Sequence, residues 1–396
     1  MIQEVRATFN QQFSETKHQA VLNELGSYFG IPPGFRVAET PVFLPAYFKQ
    51  KLIEASNEIV NGFMEKDYLK ISLKSIPDEW NTPGFSEHPN FMVLDYGICL
   101  DEDGSLKPML IEAQGFPSVF YFQMSLDRAF RANYDIPAGF SSYFENGNET
   151  YFKQLLEETI LNGHPKEEVI LLELEPQKQT TLVDFIGTEK ELGIKTICVS
   201  ELLKDGKELY YMNGKKKQLI TRIYNRVIAD DWAQRPDITS AFKFTDEVNV
   251  SWAGHPNWFF KVSKFGLPYL DSSYVPKTTI LSKLSNIPED LENYVLKPLF
   301  SFSGSGVVFN VLPEDIQNVK EPENYILQKK VNYYPGIQSP DGMVKCELRV
   351  MLIWPDKADK PIFTTNLTRL SKGELIGVKF NRNKIWVGGS LSYFAE

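Results

Sequence analysis

Residues 91–114 read Phe-Met-Val-Leu-Asp-Tyr-Gly-Ile-Cys-Leu-Asp-Glu-Asp-Gly-Ser-Leu-Lys-Pro-Met-Leu-Ile-Glu-Ala-Gln. Two apolar, β-favouring runs, 91–100 and 106–112, flank a polar cluster at 101–105. Asp103-Gly104 inside that cluster predicts a hairpin with a two-residue turn. Such a turn sets Asp95 opposite Glu112, with Gln114 on the same face. Two carboxylates placed opposite each other repel. A divalent cation would remove the conflict, with the Gln114 amide oxygen as third donor, and magnesium suits such oxygen ligands. The competing reading is a solvated hairpin face whose register has slipped through a longer loop.

Upstream of the hairpin, Val5, Phe9 and Phe13 recur at helical spacing, Pro32-Pro33-Gly34 breaks the pattern, and a second helix is predicted over about 45–65. Downstream, 166–227 alternates: a strand at 169–172, a helix at 181–192, a strand at 196–199 and a helix starting at Ser200. That rhythm predicts a small open parallel sheet. Strands are predicted at 294–297, 325–328 and 348–353. From 363 to 393 antiparallel strands are expected, joined by turns at Lys372-Gly373 and near Asn381. The expected fold class is mixed α/β, divided into a helical region plus hairpin (1–165), a small Rossmann-like domain (166–235) and a C-terminal α+β region (236–396).

The composition narrows function. With 42 Lys+Arg against 51 Asp+Glu the net charge is −9, which argues against nucleic acid as a partner, since phosphate backbones need clustered cations. Cys99, Cys198 and Cys346 are far apart and the four histidines are scattered, so no zinc site of the usual N/S kind is expected. Sparse thiols, no signal-peptide pattern and no long apolar run predict a cytoplasmic protein without a membrane partner. The sequence leaves the oligomeric state open.

Three further constellations carry candidate chemistry. Lys297 ends an apolar strand and precedes Ser303-Gly304-Ser305-Gly306; one ammonium and several backbone N–H groups there suit phosphates, although such a loop is also an ordinary hairpin turn. It is neither a Walker A motif nor a dinucleotide fingerprint. Glu347 and Arg349 share one strand face, with Asn366 and Arg369 downstream. Arginine forks bind phosphate or carboxylate bidentately, and a structural ion pair is the competing account. Arg226 closes a predicted strand, where open α/β sheets bind ligands; a surface ion pair with Asp230 is the alternative.

In this order, across roughly residues 90–390, these segments resemble the ATP-grasp superfamily. The resemblance is to its circularly permuted branch, with eukaryotic-type glutathione synthetase and glutathionylspermidine synthetase. It implies an ATP-grasp-like mixed sheet and magnesium held by Asp95 and by Glu112-Ala113-Gln114, with Gln for the branch's Asn and with Glu347 as a further donor. It implies Lys277 and Lys297 on phosphates under the 303–306 loop, and Gln328, Lys329 and Val331 in a segment whose backbone holds adenine. Arg226, Arg349 and Arg369 would act on the substrate and the transferring charge. Ser301 stands where that branch carries an acid, which bears on the second metal or on turnover. The implied activity is an ATP-dependent carboxylate–amine ligase working through an acylphosphate, with small-molecule acid and amine as partners. A small-molecule kinase and a non-catalytic nucleotide-binding protein are the rival readings.

Overall fold

In the computed structural model, residues 1–396 are described except 85, 146, 300–305, 374–380 and 382–383. Ser303, Gly304, Ser305 and Ser301 therefore lie outside the described residues. The centre is an antiparallel sheet in which Gly388–Ser390, Ile362–Ser371, Gly342–Ile353, Phe91–Leu100 and Leu106–Gln114 lie side by side in that order. Phe91–Leu100 is buried along its length apart from Leu100, because both faces are covered. Leu94, Tyr96 and Ile98 meet the apolar stripe Phe48, Leu52, Ile59 and Phe63 of helix Ala46–Met64. Phe91 and Val93 meet Phe120 and Met124 of helix Phe120–Asn133. Asp95 sits on this second face, buried in an otherwise apolar strand.

The hairpin differs from expectation in its turn. Leu100 pairs with Leu106, Gly104 N donates to Asp101 O at 3.0 Å and Asp101 N to Ser105 O at 2.8 Å. This is a three-residue loop with Gly104 in the left-handed region at φ +79°, the geometry in which glycine belongs at the third loop position. The longer loop shifts the register by one, and a β-bulge restores it: Tyr96 pairs with Leu110 but Asp95 with Glu112, leaving Ile111 as the extra residue. Asp95 and Glu112 thus face each other as predicted, for a different reason.

A parallel sheet of order Ser251–Ala253, Arg222–Asn225, Val169–Glu173, Lys195–Cys198 packs beside the centre, with helix Leu182–Leu192 as its crossover. The helix expected from Ser200 is a single 3-10 turn followed by a three-stranded meander, 203–220. Its turns hold Gly206 and Gly214 at φ +60° and +63°; Asp205-Gly206 and Asn213-Gly214 are hairpin signals that outrank the apolar spacing. A third sheet places Tyr325–Lys329 between Thr278–Ile280 and Tyr294–Pro298, all antiparallel. Strand Ser392–Ala395 runs parallel to Val42–Leu44, tying the end of the chain to its beginning. No helix among the described residues is long and apolar enough to cross a membrane.

Candidate functional site

Two adjacent rows across the central sheet build the site. In one row Leu367, Arg349, Asp95 and Glu112 are successive neighbours; in the next, Arg369, Glu347, Gly97 and Met109. Arg349 grips Asp95 bidentately, Nε to Oδ1 at 2.6 Å and Nη2 to Oδ2 at 2.7 Å, and Arg369 Nη2 reaches Asp95 Oδ2 at 2.8 Å. Arg369 also pairs with Glu347, and Tyr333 Oη donates to Glu347 Oε2 at 3.3 Å. Gly97 has to be small: a Cβ there would lie 2.6 Å from Val331 Cγ1 and 3.1 Å from the Tyr333 ring. Burial works against a charged Asp95, yet the two guanidiniums outweigh it and hold the carboxyl below its ordinary range. At Glu347 burial dominates and pushes the carboxyl up.

The carboxylate conflict is therefore resolved by arginines, and no three-ligand His/Cys/Asp/Glu metal cluster forms among the described residues. Asp95 has both oxygens taken, and both Glu347 oxygens accept bonds from Arg369 and Tyr333. Glu112 is less committed, receiving Lys264 Nζ at 3.3 Å. With Gln114 two residues on along the same strand face, it forms an oxygen pair suited to a cation that keeps most of its coordination to water and phosphates, as magnesium does.

Lys297 lies beside this pair, half-buried. Its ammonium donates to Gln328 Oε1 at 2.6 Å and contacts the carbonyl of the bulged Ile111 at 3.5 Å. Burial lowers its pKa to about 8, with Lys264 adding to the effect and Glu112 and Glu347 opposing it. Gln328 is buried and also donates to Thr278 Oγ1 at 3.1 Å. Its side chain positions Lys297 and is not open to a ligand. Lys277 is exposed; its carbonyl accepts Lys329 N at 2.9 Å, which sets the two lysines side by side. Val331 packs over Gly97. Gly306 is at φ +71°, the strand-side end of the loop whose other predicted members are not described. Asn366 belongs elsewhere, bonded to Ser142 O, Ser392 O and Ser392 N.

Arg226 follows strand Arg222–Asn225 directly, as expected, but its partner is Asp184 of the crossover helix and not Asp230. Nη1 donates to Asp184 Oδ2 at 2.9 Å and to Ser118 O at 2.7 Å. Asp184 is fully buried, and an ion pair this deep orients the guanidinium firmly. Its Nε has no partner among the described residues. Ser118 Oγ accepts Arg349 Nη1 at 3.2 Å, so one serine bridges two predicted arginines. Both open onto a cavity of about 1260 Å³ that Arg369, Gln114, Glu173 and Arg36 also line. Glu173, at the end of strand Val169–Glu173, is pushed up to about 8 by burial, against the pull of Arg226. Lys297, Lys277 and Gln328 do not line this cavity. Sequence reasoning missed Lys264, Tyr333, Ser118 and Asp184, each of which reaches the site from a distant segment without a motif of its own.

No protein-family model matches the chain, and no curated protein matches it. Among solved structures, the chain is similar to a glutathione synthetase-like effector from Globodera pallida in its apo form, over 97% of this chain and 98% of that one, with a TM-score of 0.59 and 12% identity. The fold is thus the glutathione synthetase-like, ATP-grasp-like mixed α/β architecture.

Proposed function

We propose that this protein is an ATP-dependent carboxylate–amine ligase, related to the circularly permuted ATP-grasp branch, that joins a small acid to an amine through an acylphosphate and releases ADP and phosphate. One observation carries the reading: Arg226, Arg349, Arg369 and Gln114 line one cavity, and strand Leu106–Gln114, which brings Gln114 there, also meets the half-buried Lys297 through the Ile111 carbonyl. Arg226, braced by Asp184, orients the acid. Arg369 and Arg349 supply fixed positive charge where charge develops during phosphoryl transfer. Lys297 and Lys277 receive phosphates, and the backbone near Lys329 and Val331 receives adenine. Glu112 and Gln114 would hold magnesium, which would supply neutralisation of phosphate charge. Asp95 and Glu347 instead hold the two arginines in place.

The test is ADP and phosphate release by the full chain with Mg-ATP and fractionated small-molecule extracts, followed by mass spectrometry. Release that requires two fractions and yields their summed mass less water is the expected result. A stably phosphorylated product marks a kinase. Nucleotide binding without release marks a binding protein, a second reading favoured by the arginine-saturated Asp95 and by Ser301.

The lowered pKa of Lys297 gives a pH signature. Its folded value of about 8 lies below the ordinary 10.5, so the unfolded chain binds this proton more tightly. Stability contributed by this group accordingly rises as pH rises from about 8 toward the ordinary lysine value. Nucleotide affinity runs the other way, because phosphates need the ammonium. Calorimetric ATP affinity should weaken about tenfold between roughly pH 7 and 9, and Lys297→Arg should flatten the profile. A flat wild-type profile would remove Lys297 from the phosphates.

A further inference from the structure

A second constellation stands at the other end of the parallel sheet from Arg226, among residues the ligase reading does not use. Three neighbouring strands begin there: Ser251 opens Ser251–Ala253, Thr221 precedes Arg222–Asn225, and Glu168 precedes Val169–Glu173. His164, just past helix Glu149–Leu161, reaches the same place. Thr221 Oγ1 donates to Glu168 Oε2 at 3.1 Å, His164 Nδ1 lies 2.8 Å from Thr221 Oγ1, and His164 Nε2 lies 3.2 Å from Ser251 Oγ. Arg222 Nη1 donates to Ser251 Oγ at 3.1 Å.

The directions of these bonds fix the imidazole. A carboxylate only accepts, and a hydroxyl has one proton to give. Thr221 gives its proton to Glu168, so it accepts from Nδ1–H of His164. Nε2 of the neutral ring is then bare, and the bond to it carries the Ser251 proton. Desolvation and Arg222 lower the His164 pKa against the pull of Glu168 and Asp356, which keeps the ring a base at neutral pH. Arg222 is 1% exposed, with its other nitrogens on the Ile160 and Thr159 carbonyls and on Asp356. Its Nη1 is therefore held where it favours negative charge on Oγ.

Ser251 is half-buried and lines a cavity of about 630 Å³, to which Val248, Val250 and Trp252 give an apolar wall. That volume suits a small organic ligand. A hydroxyl with a bare imidazole nitrogen beside it, and a third group orienting that imidazole, is the arrangement of an activated nucleophile.

We propose that Ser251 is the nucleophile of a second, hydrolytic site for small carboxylic esters, with His164 as its base. Oγ attacks the ester carbonyl carbon while its proton passes to His164 Nε2. The bond from that carbon to the alcohol oxygen breaks, and the alcohol leaves with the proton. Water then attacks the acyl-serine, giving a proton to Nε2; the acid departs and Oγ takes the proton back. One ester and one water become one acid and one alcohol.

The experiment treats the full chain with a fluorophosphonate probe, locates the modified residue by peptide mass spectrometry, and follows hydrolysis of p-nitrophenyl butyrate. Expected are phosphonylation of Ser251 with loss of fluoride, and ester hydrolysis that the probe blocks. His164→Asn should slow labelling about 10²-fold. The wild-type labelling rate should climb with pH through a midpoint below the ordinary imidazole value of 6.5, a step that His164→Asn should lack. Ser251→Ala takes a partner from the buried Arg222 and so disturbs the fold as well; the map on wild type decides. No label, a label on another residue, or labelling of Ser251 indifferent to His164→Asn overturns the proposal. None of these outcomes bears on ADP release, so the ligase reading stands or falls separately.

Discussion

On the proposed ligase reading, Lys297→Met should remove ATP-dependent ADP release by about 10³-fold or more, the scale on which single well-placed cations act in phosphoryl transfer, while leaving the fold intact. The structural argument separates the two effects. Burial already works against the ammonium, lowering its pKa to about 8, so its removal relieves a desolvated charge. Against that stands the loss of the hydrogen bond to Gln328 Oε1, a contribution of about 1.5–3 kcal/mol for a charged donor. Methionine fills similar volume, so the thermal midpoint should move little. Release assays and a melting curve on the same preparation check both halves. Retained turnover would detach this lysine from the chemistry, and a collapsed melting transition would assign it to the fold.

Asp95→Ala should cost about 3 kcal/mol of stability. Removing one partner from a buried ion pair typically costs about 3–5 kcal/mol, because the other charge stays buried. The lower figure applies because the Arg369 side chain is 37% exposed and water screens part of its charge. Arg349, at 14%, has no such escape. Denaturant unfolding measures the loss, and Asp95→Asn, which keeps the shape but not the charge, should fall between. A loss under about 1 kcal/mol would mean that the arginines find other acceptors. The pH dependence has a definite sign. The Asp95 carboxyl lies below its ordinary range, so its contribution is complete above the unfolded value and is lost as pH falls through the depressed one.

The strands were legible because each is an apolar run with turn residues at its ends, as at 91–100, 169–173, 294–298 and 348–353. The crossover helix was legible from its spacing and from Gly193, which ends it at φ +76°. Asp95 opposite Glu112 was also legible. What was not legible was how the charges would be settled. Arg349 and Arg369 come from residues some 250 positions away from Asp95, and a carboxylate hairpin reads the same whether arginines or a metal neutralise it. Arg226 shows the same limit. Asp230 lay close in sequence, but Asp184 lies on the helix that the parallel crossover returns beside the strand end, a neighbour only in three dimensions. The meander at 203–220 differs for a simpler reason: the expectation of a helix starting at Ser200 leaves its two glycine turns out of account.

The bulge at Ile111 works like a frameshift in side-chain phase. Leu106, Pro108 and Leu110 face the core, and the same sequence paired without a bulge would carry Glu112 in with them. With it, Glu112 and Gln114 emerge on the opposite side while Ala113 is the one buried. Position 111 therefore punctuates the strand: before it every second residue is read by the core, after it every second residue is read by the site. Pairing Ile111 into the ladder, with no bulge, would exchange the two vocabularies, burying a carboxylate and exposing a methyl, without altering any residue a motif search would recognise, whereas deleting Ile111 would leave the phase as it is.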